Sequence, residues 1–297
     1  MVLLTGATGY LGTRVLALLV SQGADVTALA HDRPSGAVPG VRWARGDVRD
    51  LPSLDAAVSG ADSVIHLVAV IRQRGEASFE AINVRGTANV VEAAAKAGVR
   101  RLVHCSALGA MNNPRYPYAH SKWLGEEAVR QSGIPFVILR PSVLFGPGFG
   151  FVDRLVQSVR MSPPPLVPLP GGGKARFSPI AADDVARCLV QVLDEDTFSG
   201  ETIEIGGPEQ LSYTAMMRQV MATMGIRRRG IPVPMGILRL VVPIMARVMP
   251  DPPVTPVELG QLDFDNIVPP DAVERRFGFA TQRFADGIAY LRDGSRR

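Results

Sequence analysis

Along the first half of the chain, short apolar runs alternate with longer stretches in which apolar residues recur every three or four positions. The short runs fall near 2–5, 25–30, 41–44, 62–68, 100–106 and 134–140 and read as strands. Between them, Tyr10–Gln22, Leu51–Val58, Phe79–Ala97 and Tyr116–Ser132 carry helical spacing. In the third of these, Ile82, Val84, Val90, Val91, Ala94 and Ala95 keep the helical period and Gly98 supplies a stop signal. Regular alternation of this kind predicts an α/β fold with a doubly wound parallel sheet.

After Pro141 the texture changes to proline and glycine clusters, Ser162–Gly173 and Pro232–Pro256, separated by shorter helical patterns. The division expected is a sheet domain over 1–145, with 174–205 returning to it. A smaller, loop-rich lobe is expected over 146–173 and 206–297.

Composition narrows this picture. Hydrophobic residues make up 46% of the chain, enough to fill a core. The two cysteines, Cys105 and Cys188, are far apart and lack metal-ligand spacing, so neither a disulfide framework nor a metal site is expected. The chain opens on an apolar strand rather than a basic leader and apolar block, and a cytoplasmic location is expected. The apolar run Gly230–Val248 is broken by Arg239, Arg247 and prolines and is not expected to span a membrane. The formal charge of +4 is local, concentrated in Arg227–Arg229 and in Arg292, Arg296 and Arg297, which gives no broad face for nucleic acid.

The first strand runs directly into Thr5-Gly6-Ala7-Thr8-Gly9-Tyr10-Leu11-Gly12 and then into a helix. In this strand–turn–helix context each glycine has a physical task. Gly6 permits the tight turn, Gly9 lets backbone approach a bound anion, and Gly12 lets the helix pack closely. The helix start offers unpaired N–H groups and a positive dipole end. Gly6, Thr8, Gly9, Tyr10, Leu11 and Gly12 are therefore expected to hold the pyrophosphate of a dinucleotide. The second strand ends Ala28-Leu29-Ala30-His31-Asp32-Arg33. Asp32 would serve the ribose hydroxyls of NAD(H). His31, Arg33 and nearby Arg14 suit a 2′-phosphate better, so NADP(H) is favoured over NAD(H).

These features, together with Gly46-Asp47-Val48, His66-Leu67-Val68-Ala69-Val70, the segment from Asn83 to Ala94, Tyr118–Lys122 and the segment from Leu139 to Gly148, resemble the extended and atypical short-chain dehydrogenase/reductase superfamily over nearly the whole chain. The late segment Pro250–Val268 resembles the branch that contains an accessory subunit of respiratory complex I and its bacterial relatives. The resemblance implies that Asp47 and Val48 lie against the adenine. It further implies that Leu67, Val68 and Ala69 line the path to the nicotinamide ribose, and that Pro141 and Val143 approach the nicotinamide.

Tyr118 and Lys122 match the superfamily's Tyr-x-x-x-Lys pair, and their spacing places them on one helix face. A lysine ammonium and an oxidised nicotinamide nearby would bring the tyrosine, otherwise a poor acid or base at neutral pH, toward working range. Ser106 takes the first of the two hydroxyl positions usual at the fifth strand's end, while Ala107 stands at the second, so one donor to the substrate oxygen is missing.

The expectation is an NADP(H)-dependent oxidoreductase acting on a carbonyl or alcohol of a small or lipophilic substrate. The alternative is a non-catalytic, cofactor-loaded subunit of a membrane-associated complex. Residues 226–249 join the arginine cluster to an apolar block containing Met235, Met245 and Met249. They are read as either a lid over the substrate or a contact with a membrane surface or protein complex.

Overall fold

The computed structural model describes residues 1–31, 38–148, 150–193, 195–249 and 251–294. Two compact units emerge, one comprising Met1–Pro141 with Ala182–Glu204 and the other Ser142–Ala181 with Ile205–Arg297.

The first unit follows the periodicity closely. It contains β1 (Val2–Thr5), α1 (Tyr10–Ser21), β2 (Val26–Ala30), β3 (Val41–Arg45), α2 (Leu51–Val58), β4 (Ser63–His66), α3 (Thr87–Lys96), β5 (Arg101–Cys105), α4 (Pro117–Arg130) and β6 (Phe136–Pro141). With Glu201–Ile205 at one edge, the seven-stranded sheet runs in the order Glu201–Ile205, β6, β5, β4, β1, β2, β3. Every pairing from β6 across to β3 is parallel. Because β1 and β4 are neighbours while the order grows outward from them in both directions, this pair is the switch point of the sheet, at whose carboxyl edge folds of this kind bind ligands. Leu3, Val64, Leu102 and Ile138 of the sheet pack with Leu54 and Val58 of α2 and Val90, Val91 and Ala94 of α3.

Two elements differ from the periodicity. β4 stops at His66 rather than running to residue 68, because the Asn83 side chain holds the chain beyond it. Asn83 Oδ1 accepts from Val70 N at 2.8 Å, and Nδ2 donates to Val70 O at 3.0 Å. The expected helix 79–97 begins as a π-helical segment, Phe79–Gly86, before α3. Such widened turns occur often at functional sites, and here Phe79 packs against Tyr118 with ring centroids 5.9 Å apart.

The second unit has its own core, in which Val152, Leu155 and Val159 meet Met216, Met217 and Val220. Phe145 and Phe284 meet edge to face at 5.3 Å. Residues 142–145 and 174–181 were expected with the sheet and group instead with this unit. The reason is polar as well as apolar: Ser142 Oγ donates to Asn266 Oδ1 at 2.6 Å, and Ser178 N donates to Asn266 O at 3.0 Å.

Candidate functional site

The expected site residues of the first unit stand at the carboxyl ends of successive parallel strands, where α/β sheets bind their ligands. Gly6–Gly12 follow β1, His31 follows β2, and Asp47 and Val48 follow β3. Leu67, Val68 and Ala69 follow β4, Ser106 follows β5, and Pro141 ends β6. Tyr118 and Lys122 lie on α4. Val143 belongs to the second unit. Arg33 and Asp32 lie outside the described residues.

The turn after β1 is fixed by steric exclusion. Gly6 adopts φ +77, and a Cβ on Gly12 would stand 1.9 Å from the carbonyl oxygen of Gly6, so only glycine allows α1 to start so near the strand. A Cβ on Gly9 would meet the same oxygen at 3.2 Å, a milder conflict. The Gly9 amide closes the turn by donating to Gly6 O at 3.0 Å. α1 begins with no side-chain cap and no acidic residue in its first turn, and Thr8 and Gly9 are exposed beside it. A helix start left uncapped beside a turn whose close Gly6–Gly12 approach excludes a Cβ fits the diphosphate of a dinucleotide.

At the ribose end, Asp47 is engaged by a residue that sequence reasoning missed. Arg49 donates to its carboxylate from Nε at 3.1 Å and from the terminal nitrogen at 2.6 Å. These bonds hold the Asp47 carboxyl below its ordinary range. His31, exposed, places Nε2 3.5 Å from Asp47 Oδ2. Arg14, expected to serve a 2′-phosphate, is occupied elsewhere. It donates to Tyr10 O at 2.7 Å, stacks on the Tyr10 ring at 4.3 Å and pairs with Asp183 at 3.2 Å. Val48 is buried in the core, and its carbonyl accepts from Asn89 at 2.8 Å.

The β4 end is organised around a buried histidine. Thr87 Oγ1 donates to Asn83 O at 2.8 Å, so it can only accept from His66 Nε2 at 3.1 Å, which leaves His66 Nδ1 to accept from Thr5 Oγ1 at 2.7 Å. This assigns a neutral Nε2–H tautomer. Burial, reinforced by the Lys122 charge, pushes the His66 imidazole down to about 3. His104 stacks on it at 5.3 Å and is likewise held well below its ordinary range by burial first.

One face of α4 presents Tyr118, Lys122 and Glu126 at successive four-residue steps and fastens to the end of β5. Lys122 is buried and donates from Nζ to Cys105 O at 2.8 Å. Ser106 Oγ donates to Glu126 Oε1 at 2.5 Å. Glu126 is fully buried and also accepts from Arg140 Nε at 2.8 Å and from Arg130 at 2.7 Å. Burial alone would raise its carboxyl, but hydrogen bonds from Arg140, Ser106 and Arg130 hold it below the ordinary range. The hydroxyl expected to orient a substrate oxygen is therefore committed to a carboxylate, and Ala107 offers no replacement.

Tyr118 departs from expectation in its acidity. Burial, with Cys105 acting in the same direction, pushes its phenol above the ordinary value rather than toward neutrality. Lys122 is lowered, chiefly by burial. In the chain by itself the phenol is a proton-holding group.

Glu126 had a legible signal, since it continues the Tyr118–Lys122 spacing by one more turn. Asn83 begins a segment singled out in the sequence, yet its role appears only once Val70 and Ser121 are seen beside it; its Nδ2 donates to Ser121 Oγ at 3.0 Å. Nothing in the sequence pairs Arg49 with Asp47 or Arg140 with Glu126.

Comparison with known proteins identifies the family and agrees with the fold. Residues 2–206 match the NAD dependent epimerase/dehydratase family. The chain is 27% identical over 274 residues to the mitochondrial NADH-ubiquinone oxidoreductase 40 kDa subunit of Neurospora crassa, covering 90% of this chain and 72% of that one. It is 28% identical over 232 residues to the NAD(P)H azoreductase of Xenophilus azovorans, covering 76% of this chain and 74% of that one. Among solved structures, an NADPH-dependent quinone oxidoreductase of Escherichia coli complexed with NADPH superposes with a TM-score of 0.77 or better, namely 0.79, at 19% identity, covering 98% of this chain and 99% of that one; at this identity the likeness concerns the fold. On the match over residues 2–206, the chain belongs to the NAD dependent epimerase/dehydratase family and is an NAD(P)-binding protein of Rossmann type.

Proposed function

We propose that this chain is an oxidoreductase that uses NADP(H) in preference to NAD(H) and reduces a carbonyl of a small, lipophilic substrate, with Tyr118 as the proton donor. The observation that carries the reading is the α4 face, on which Tyr118 lies one turn before Lys122 and Lys122 is bonded to the carboxyl end of β5, within the same strand-end row as the glycine turn.

The turn Gly6–Gly12 would hold the diphosphate, with Lys122 and Tyr118 toward the nicotinamide end. When bound, the nicotinamide supplies the hydride. The chain's own residues handle the proton. A phenol kept protonated by burial donates to the developing alkoxide, which favours the reductive direction at neutral pH. Lys122 stabilises the resulting phenolate by its charge. The NADP(H) preference rests on His31, with Arg45 in register beside Ala30 at the neighbouring strand end. Two of the similar proteins are named for a quinone and one for an azo compound, which supports a lipophilic acceptor.

The commitment of Ser106 to Glu126 favours a second reading, a subunit that holds the dinucleotide without turnover. One experiment separates the two: NADPH oxidation is followed against a panel of quinones and aldehydes in wild type and Tyr118→Phe, with NADPH affinity measured in parallel. The proposal expects reduction that falls by about 100-fold or more in Tyr118→Phe while affinity holds. Undiminished turnover in the variant contradicts the assigned role, and tight NADPH binding without turnover in wild type selects the second reading.

A further inference from the structure

The second unit carries a surface in which apolar exposure and positive charge coincide. The helix Met235–Val248 buries only Val242, while Leu240 is 73% exposed, Ile244 62% and Val248 77%. Ile237 and Val241, both more than half exposed, join them within an arc of about 100° on a helix turning roughly 100° per residue. The methionines that the sequence suggested as the contact surface, Met235, Met245 and Met249, are only partly exposed, and the uncovered stripe is aliphatic.

The charge pattern says what would cover it. From Gln210 to Pro250 the sequence contains no Asp or Glu, whereas Arg218, Arg227, Arg228, Arg229, Arg239 and Arg247 all fall in this span. Arg239 pairs with Asp263 at 2.8 Å, and Arg228 donates to Val159 O and Ser162 O. Arg218, Arg227, Arg229 and Arg247 are exposed and have no acidic partner among the described residues. Three of these four, with Arg228, line a shallow depression beside Met221 and Ile226. Arg247 lies at the edge of the aliphatic stripe.

We propose that this surface docks on an anionic phospholipid leaflet, with the helix Met235–Val248 lying in the interface plane, its aliphatic stripe among the acyl chains and the unpaired guanidinium groups against lipid phosphates. Burial against a second copy fits less well, because an isologous contact sets the same carboxylate-free, arginine-rich segment against itself. A leaflet supplies the missing countercharge. A spanning arrangement is excluded for this helix, whose 14 residues reach about 21 Å against a hydrocarbon core of about 30 Å. No helix among the described residues is long and apolar enough to cross a membrane.

The test is co-sedimentation of the full chain with vesicles of phosphatidylcholine alone or containing about one-third phosphatidylglycerol. The expected result is saturable, salt-sensitive binding to the anionic vesicles, at least about tenfold stronger than to the neutral ones. Leu240→Glu/Ile244→Glu and, separately, Arg227→Ser/Arg229→Ser are each expected to weaken it about tenfold or more while leaving the melting temperature and NADPH affinity unchanged. Failure of the wild type to bind anionic vesicles overturns the proposal, as does undiminished binding by both variants. A concentration-dependent dimer that Leu240→Glu/Ile244→Glu dissolves, without vesicle binding, would assign the face to a second copy instead.

Discussion

The turn after β1 and the edge of β5 both lie at carboxyl ends of strands in one sheet but are built by opposite means. The turn is made of backbone, and its shape follows from where side chains are forbidden: Gly12 can carry no Cβ because the carbonyl of Gly6 lies in its place. The β5 edge is made of side chains that meet across the sequence, Ser106 with Glu126 and Glu126 with Arg140. Steric exclusion is local and shows in a short motif. A polar network around a buried carboxylate is distributed, and it is costly to orphan because Glu126 at its centre is shut off from water.

Removing a member of that network should therefore produce the larger effect. Glu126→Ala leaves Arg140 and Arg130 without their shared carboxylate, and a loss of about 3–5 kcal/mol in unfolding free energy is expected from denaturant titration. If the cost is below about 1 kcal/mol, the network is solvated and the contrast with the turn is lost. Gly12→Ala should cost less, about 1–3 kcal/mol, since one methyl must displace backbone. Gly9→Ala, with its milder conflict, should cost less still, and equal costs at the two positions would show that the turn is not held by the Gly6–Gly12 approach.

A smaller and graded effect belongs to His66. Its native imidazole titrates at about 3 rather than 6.5, so between these values the unfolded chain binds a proton that the native chain refuses. Stability must then fall as pH drops through this window, by up to about 1.4 kcal/mol per pH unit from this residue. Urea midpoints measured across the range should show a shallower slope in His66→Gln, and an unchanged slope would mean that His66 is not the buried neutral group described.

The same division explains what the sequence made legible. Strand and helix positions and the glycine turn follow from periodicities and backbone constraints that act over a few residues, and they appear in the structure within a few positions of where the pattern puts them. β4 ends early because Asn83, distant in sequence, captures Val70. The pairing of Asp47 with Arg49 and the withdrawal of Ser106 toward Glu126 depend on side-chain directions that no spacing rule encodes. Arg14 looked available for a phosphate because its residue type suits one, and the structure engages it with Tyr10 and Asp183.

The central claim is that the glycine turn holds a pyridine dinucleotide, and calorimetric titration of the purified chain with NADPH and then NADH tests it most directly. The account predicts saturable binding, tighter for NADPH, and its loss in Gly12→Val while Tyr118→Phe retains it. Absence of binding to both nucleotides by a folded wild-type chain, or unaltered affinity in Gly12→Val, would contradict it.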